Sequence, residues 1–551
     1  MLGAAEPATW RNGINRRSLA IQGSLGLIRF ILRRDRLYLP LWIVAVVIVN
    51  VAYATQMSDF LGDDASRQAL LEMLKNPAMV AMMGVSYGTE IGQLYAQFML
   101  IWAAALAAVF NIMLVIRHTR KDEEEGRLEM LSSLPLGRNA QLAATLAVAL
   151  LADLLIAGFS SACFAAIDIQ GIGAGGGAVM SFAVAATGFA FAGLAAFVAQ
   201  LCATAKVANA LAFVALGAAY LLRAMGDVAN EALALASPLG LAERVQAWAA
   251  NLAWPIAVLA AEGLAFFALA FVFSSLRDAN AGILPARLGR RHASPWLAGD
   301  LGLAWRLTRS LSIGWLAVMF VAGAMYGSIF PDMADFFQNN EMYKQILVGV
   351  GGDSTGLVQA FVSFLMCIMA VLAAVPCCMV VMKVKSEEKR GRMEQVLSKS
   401  VSRARLFGGY LGIALLLAAA LMAACALGIY ASAASQMASP PDLGMLFNQA
   451  FRYLPALVLL IGLAALLTGA WPQATPLVWI YLVYSFIIMY IGGMLDLPGL
   501  LLKVTPFEWL KPLADSLQNN AVQLASTVLV SIIGLVLMVL GAWAYRRRDV
   551  G

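Results

Sequence analysis

Apolar residues along this chain come in long unbroken runs, separated by short stretches dense in charge. The runs fall at 38–56, 91–116, 141–167, 177–202, 206–223 and 252–275, then at 311–330, 356–382, 406–432, 453–471, 474–494 and 523–545. About 20 such residues, coiled as a helix, cross the ~30 Å hydrocarbon core of a bilayer. Lipid cannot hydrogen-bond a bare backbone, so runs of this length span it as helices. Helices packed in a large soluble core would carry polar faces, and these runs lack them. The pattern predicts an all-α polytopic membrane protein with about 12 transmembrane helices.

Composition strengthens that reading. Hydrophobic residues make up 61% of the 551 and charged residues only 13%, against about 25% charged in soluble domains. The net charge of +6 does not form one basic domain, which excludes a nucleic-acid reading. The six cysteines lie in or beside apolar runs, spaced for neither a zinc site nor a disulfide framework, and read as small reduced hydrophobes. The first 20 residues are polar and basic, without the pattern of a cleavable leader.

The charges instead encode topology. The N-terminal arm to Arg36, segment 117–138, the linker around Arg287, Arg290 and Arg291, segment 383–405 and the terminal Arg546, Arg547 and Arg548 are cation-rich. Segments 57–90 and 331–355 are cation-poor. The positive-inside rule therefore places both termini and the linker in the cytoplasm of a bacterial-type plasma (inner) membrane.

The two halves repeat. Gly126-Arg127-Leu128-Glu129 matches Gly391-Arg392-Met393-Glu394; Arg138 and Arg403, and Gly84-Val85 and Gly349-Val350, keep the same offset. Ser237-Pro238-Leu239 faces Thr505-Pro506-Phe507 slightly further on. The expected organisation is a first six-span half at 1–275, a cytoplasmic linker at 276–298 and a second six-span half at 299–551. Six spans per half give two parallel repeats, a plan that builds a pathway between halves. Each half opens on a basic stretch suited to an interfacial helix. Arg29, Arg33 and Arg36 share one stripe in the first, while Trp305, Arg306 and Arg309 form a weaker pattern in the second.

The candidate functional residues lie in two places. The loops after the second span of each half carry dense charge of both signs, fitted to fix the register of a cytosolic protein partner. Asp153 and Glu262 are acids within apolar runs, placed to attract a cationic or polar amphiphile or to hydrogen-bond a neighbouring helix. No phosphate-cradling Gly-x-x-x-x-Gly-Lys-Ser/Thr occurs, and the histidines, His118 and His292, cannot form a metal cluster within the membrane. No catalytic, cofactor or metal residue is expected on this chain.

The acidic stretch before Gly126-Arg127-Leu128-Glu129 resembles the loop motif of the permease subunits of type-2 ABC exporters. Nearly the whole chain is similar to a fused, duplicated permease of the antibiotic and multidrug subgroup, tetronasin- and tetracycline-type systems included. The resemblance implies an elbow helix before each six spans and a coupling helix in each loop. Glu124, Glu125, Gly126, Arg127 and Glu129 would form the first coupling element, and Gly391, Arg392 and Glu394 the second. It further implies export of amphipathic small molecules and two copies of a separate nucleotide-binding ATPase carrying ATP and Mg. In the second half Lys389-Arg390 replaces the acidic pair and Ser400 replaces Pro135, which argues against equal use of the loops. The competing expectation is an ion-gradient-driven transporter in which Asp153 or Glu262 carries a proton.

Overall fold

The computed structural model describes residues 21–51, 77–127, 135–167, 171–277, 299–328, 354–398, 401–437, 440–491, 503–510 and 520–548, with a few single residues between. They divide into two compact units, Met1–Gly289 and Arg290–Gly551.

In unit 1, α1 (Ser24–Arg34) starts at Gly23, whose φ of +84° favours glycine. Arg29 and Arg33 are exposed, as the basic stripe predicts, but Leu27 and Ile31 are buried in the core of the unit, so the apolar side of this helix packs on protein and not on lipid. Next come α2 (Tyr38–Val51), the short α3 (Pro77–Met83) and α4 (Ile91–Ile116). A π turn over Arg117–Lys121 continues α4 into a last helical turn at Asp122–Glu124. There follow α5 (Ala140–Ala166), α6 (Ala174–Leu201), α7 (Ala205–Ala229), α8 (Glu231–Leu235), α9 (Pro238–Glu243) and α10 (Trp254–Leu276). Side chains of Thr204, Asn230 and Ser237 cap α7, α8 and α9 by accepting from backbone N–H groups.

Unit 2 comprises α11 (Asp300–Gly327), α12 (Ser354–Lys389), α13 (Arg392–Leu397), α14 (Arg403–Gln436), α15 (Leu443–Arg452), α16 (Leu454–Ala470), α17 (Pro476–Ile491) and α18 (Asn520–Arg547). The basic stretch at Trp305–Arg309 and the first span of this half form one continuous helix rather than a separate elbow. Without the break that Asp35–Leu37 makes in unit 1, nothing turns that stretch into the interface.

Ten helices among the described residues are long and apolar enough to cross a membrane. The two other expected spans are described as α2 and α17, of 14 and 16 residues. The cores are built on close backbone contacts at glycine, as helix packing in lipid favours. A Cβ on Gly193 of α6 would lie 2.4 Å from the carbonyl oxygen of Gly263 in α10. Unit 2 repeats this between α16 and α18, where a Cβ on Gly462 would lie 2.4 Å from Gly534 O and one on Gly469 2.1 Å from Gly541 O.

Candidate functional site

The sequence gathers its charge in the loop after the second span of each half, and the structure draws most of it inward. In unit 1 the α4 extension brings Arg117, His118, Arg120, Asp122 and Glu123 against the start and end of the unit. Asp122 accepts from Arg34 at 2.8 Å and from Arg127 at 2.8 Å. Arg34 also reaches His118 Nδ1 at 2.6 Å. A guanidinium has only donors, so that nitrogen accepts and His118 Nε2–H donates to Asp35, 2.7 Å away. Asp35 is buried and also pairs with Arg117 at 2.9 Å. Burial pushes its carboxyl up, but the His118 hydrogen bond and the neighbouring positive charges outweigh it and hold the group below the usual carboxylate range.

Glu123 is the hub of the loop. Its carboxylate takes both terminal nitrogens of Arg277, at 2.6 and 2.7 Å, and Arg120 at 2.9 Å. Arg277 ends α10, and its Nε donates to Gln200 on α6 at 2.8 Å. Arg138, at the foot of α5, donates to the Arg277 carbonyl at 2.6 Å. One acid thereby fastens the loop to three spans.

Unit 2 repeats the arrangement with different side chains at its margins. Glu388 pairs with Arg548 at the end of α18, Arg548 donates to Thr468 O of α16 at 2.8 Å, and Arg403 donates to Arg548 O at 2.6 Å. Glu387 takes Arg392 at 3.3 Å, as Asp122 takes Arg127. Gly126 and Gly391 turn each chain at φ +72° and +67° with open space around them, so backbone conformation and not crowding calls for glycine. The flanks differ. In unit 1 Glu124 accepts from Ala205 N at the first turn of α7 (2.8 Å). In unit 2 Lys385 instead donates to Pro472 O (2.5 Å) and Thr475 Oγ1 (2.7 Å). The change of Glu124-Glu125 to Lys389-Arg390 thus accompanies a different tie to the following span.

Of the sequence candidates, Glu124, Glu125 and Arg127 are exposed at the tip of the first loop, with Arg127 paired to Glu125, and Glu129 lies outside the described residues. Gly391, Arg392 and Glu394 open α13, where Glu394 sits in the first turn, a favourable place for an acid, and Met393 anchors the helix. Arg277 and Arg548 were legible only as topological charge. Their equivalent places just after the last span of each half were the signal that they act in register.

Asp153 sits inside the helix bundle of unit 1, 2% exposed, and accepts from Asn111 Nδ2 of α4 at 2.8 Å. Gly188 of α6 lies against the pair; its Cβ would be 2.7 Å from Asn111 Nδ2. That hydrogen bond joins α4 to α5. Glu262 is half-buried on α10, beside the Gly263 contact. Asp153→Asn preserves an acceptor for Asn111 and should leave unfolding in denaturing detergent nearly unchanged. Asp153→Leu should cost about 0.6–2 kcal/mol, the range for hydrogen bonds between membrane helices. Equal loss in both variants would refute a hydrogen-bonding role.

At the far end of α7, a second buried cluster was not anticipated from the sequence. Arg223, fully buried, reaches Glu243 at 3.3 Å, Asp227 at 3.4 Å and the carbonyl of Ala81 at 2.8 Å. Arg244 pairs with Asp227 at 2.6 Å. The cluster ties α3 and α9 to α7. Burial pushes the neighbouring Tyr87 hydroxyl up to about 12.

The family described as the C-terminal domain of the multidrug efflux system permease Rv1217c matches this chain over residues 22–273 and 297–546, one stretch in each half. The multidrug efflux system permease protein Rv1217c of Mycobacterium tuberculosis (strain ATCC 25618 / H37Rv) is 32% identical over 545 residues, spanning 97% of this chain and 96% of the relative.

Proposed function

The chain belongs to the multidrug efflux system permease family, and from that premise we propose that it is the membrane-spanning subunit of an ATP-driven exporter of amphipathic, antibiotic- or drug-like compounds. It is a transport subunit, and ATP with Mg would be hydrolysed by two copies of a separate cytosolic ATPase. Both termini and the charged loops would face the cytoplasm, in keeping with the distribution of Lys and Arg.

The observation that carries this reading is the duplicated loop. Each has an exposed charged tip and a base tied by an acid–arginine pair to the last span of its unit, Glu123–Arg277 and Glu388–Arg548. A partner bearing on the tip therefore moves helices and not a slack connection. The exposed dipeptides differ in sign, Glu124-Glu125 against Lys389-Arg390, so two identical ATPase copies would meet unlike surfaces.

Reconstitution with the co-purifying ATPase tests the reading. Efflux of cationic and neutral dyes from proteoliposomes should require ATP and ignore a protonophore. Protonophore-sensitive transport without an ATPase would overturn it in favour of the ion-gradient alternative. Glu125→Lys should lower substrate-stimulated ATP hydrolysis by up to about fivefold, the worth of one exposed charge pair, while membrane insertion stays normal. Unchanged stimulation would remove Glu125 from the docking surface.

A further inference from the structure

At the loop end of unit 1, α1 and the start of α2 do not lie flush against α5. Between them is a crevice of about 170 Å³. Leu39, Pro40 and Ile43 form one wall, and Val148, Ala152 and Leu155 the other. Its charged lining residues are Asp35 and Arg36. Asp35 is 1% exposed, already paired with Arg117 and hydrogen-bonded by His118, whereas Arg36 is exposed. Arg29 and Arg33 on α1 are exposed as well, and Arg36, in the break after α1, is the cation that lines the crevice.

The matching helices of unit 2 pack differently. A Cβ on Gly323 of α11 would lie 2.2 Å from Cys425 O of α14, and one on Gly428 2.1 Å from Phe320 O. Towards the loop end, a Cβ on Gly409 would come within 3.2 Å of Leu301 Cδ2. The glycine contacts draw α11 and α14 together, and α11 runs on without the break that offsets α1 from α2.

An apolar slot edged by a cation selects an amphiphile with a negative head. We propose that this crevice binds an anionic phospholipid, with part of one acyl chain between α2 and α5 and its phosphate on Arg36. The volume is close to that of the ~150 Å³ apolar cavity that accepts benzene, enough for a segment of a chain and too small for a bulky drug skeleton. Basic residues at this level of a membrane protein attract anionic lipid, which supplies the charge complementarity.

Native mass spectrometry of the purified full chain in detergent, titrated with dioleoylphosphatidylglycerol or dioleoylphosphatidylcholine, tests the site. Wild type should retain phosphatidylglycerol preferentially. Arg36→Gln should weaken that lipid about fivefold, the effect of one basic side chain near an anionic headgroup, and leave phosphatidylcholine unchanged. Ala152→Leu, which fills the slot, should weaken both lipids. If that variant does not fold, Leu155→Phe at a partly exposed position makes the same measurement. Arg309→Gln in unit 2 should alter neither lipid. Equal retention of the two lipids by wild type, or undiminished phosphatidylglycerol binding in both Arg36→Gln and the filled-slot variant, would reduce the crevice to ordinary annular contact.

Discussion

Replacing Glu123 with alanine is expected to destabilise unit 1 by about 3–5 kcal/mol, the cost of removing one partner from a buried ionic cluster. The side chain is 7% exposed and stands between Arg120, 1% exposed, and Arg277, 13% exposed. Its loss removes the carboxylate that holds these two guanidinium groups together. Adding Arg277→Met to Glu123→Ala should recover part of the loss, and the non-additivity measures the pair directly. Glu388→Ala in unit 2 should cost less, because Glu388 and Arg548 are 12% and 22% exposed and better screened by water. Unfolding by denaturing detergent, followed for the purified variants, supplies the comparison. If Glu123→Ala unfolds no earlier than Glu125→Ala at the exposed tip, the hub assignment is wrong.

A second large effect is expected at the glycine seams. Gly462→Leu puts a branched side chain where even a Cβ would lie 2.4 Å from the backbone of α18, so α16 and α18 must separate. Overpacking of a fitted core usually costs about 1–3 kcal/mol. Here the obstacle is a main-chain carbonyl that cannot change rotamer, so the upper end of that range or beyond is expected. The matching Gly193→Leu should separate α6 from α10 in unit 1. By contrast Gly217, with nothing within 4 Å of its Cβ, should accept leucine with little change. Yield of monodisperse protein and its unfolding midpoint report the difference. Equal tolerance at Gly217 and Gly462 would show that the close contacts are not needed.

The amphipathic α1 illustrates how far the chain could be read directly. Its exposed arginine stripe follows from helical periodicity, whereas the burial of Leu27 and Ile31 in protein and not in lipid came only with packing. The second basic stretch was less legible. Trp305–Arg309 has similar composition, yet it continues into the span as α11, because no local residue breaks the helix there. The loop motif points to Glu124, Glu125 and Glu394 and not to Glu123 and Glu388, the acids that tie the loops to the last spans. Glu123 and Arg277 are 154 positions apart, and Glu388 and Arg548 160.

What the sequence determined by itself was the membrane-spanning helical character of the chain and the duplication of its charged loops. Both follow from local properties: the transfer free energy of successive side chains into lipid, and a turn residue at a fixed place. The tertiary structure decided which charges face water and which are held inside, that Asp153 accepts a hydrogen bond from Asn111, and that the first and third spans of unit 1 leave a crevice while glycines close the corresponding seam in unit 2. Those outcomes depend on distances between residues remote in sequence. Composition and periodicity carry no such distances; they arise only when the helices pack.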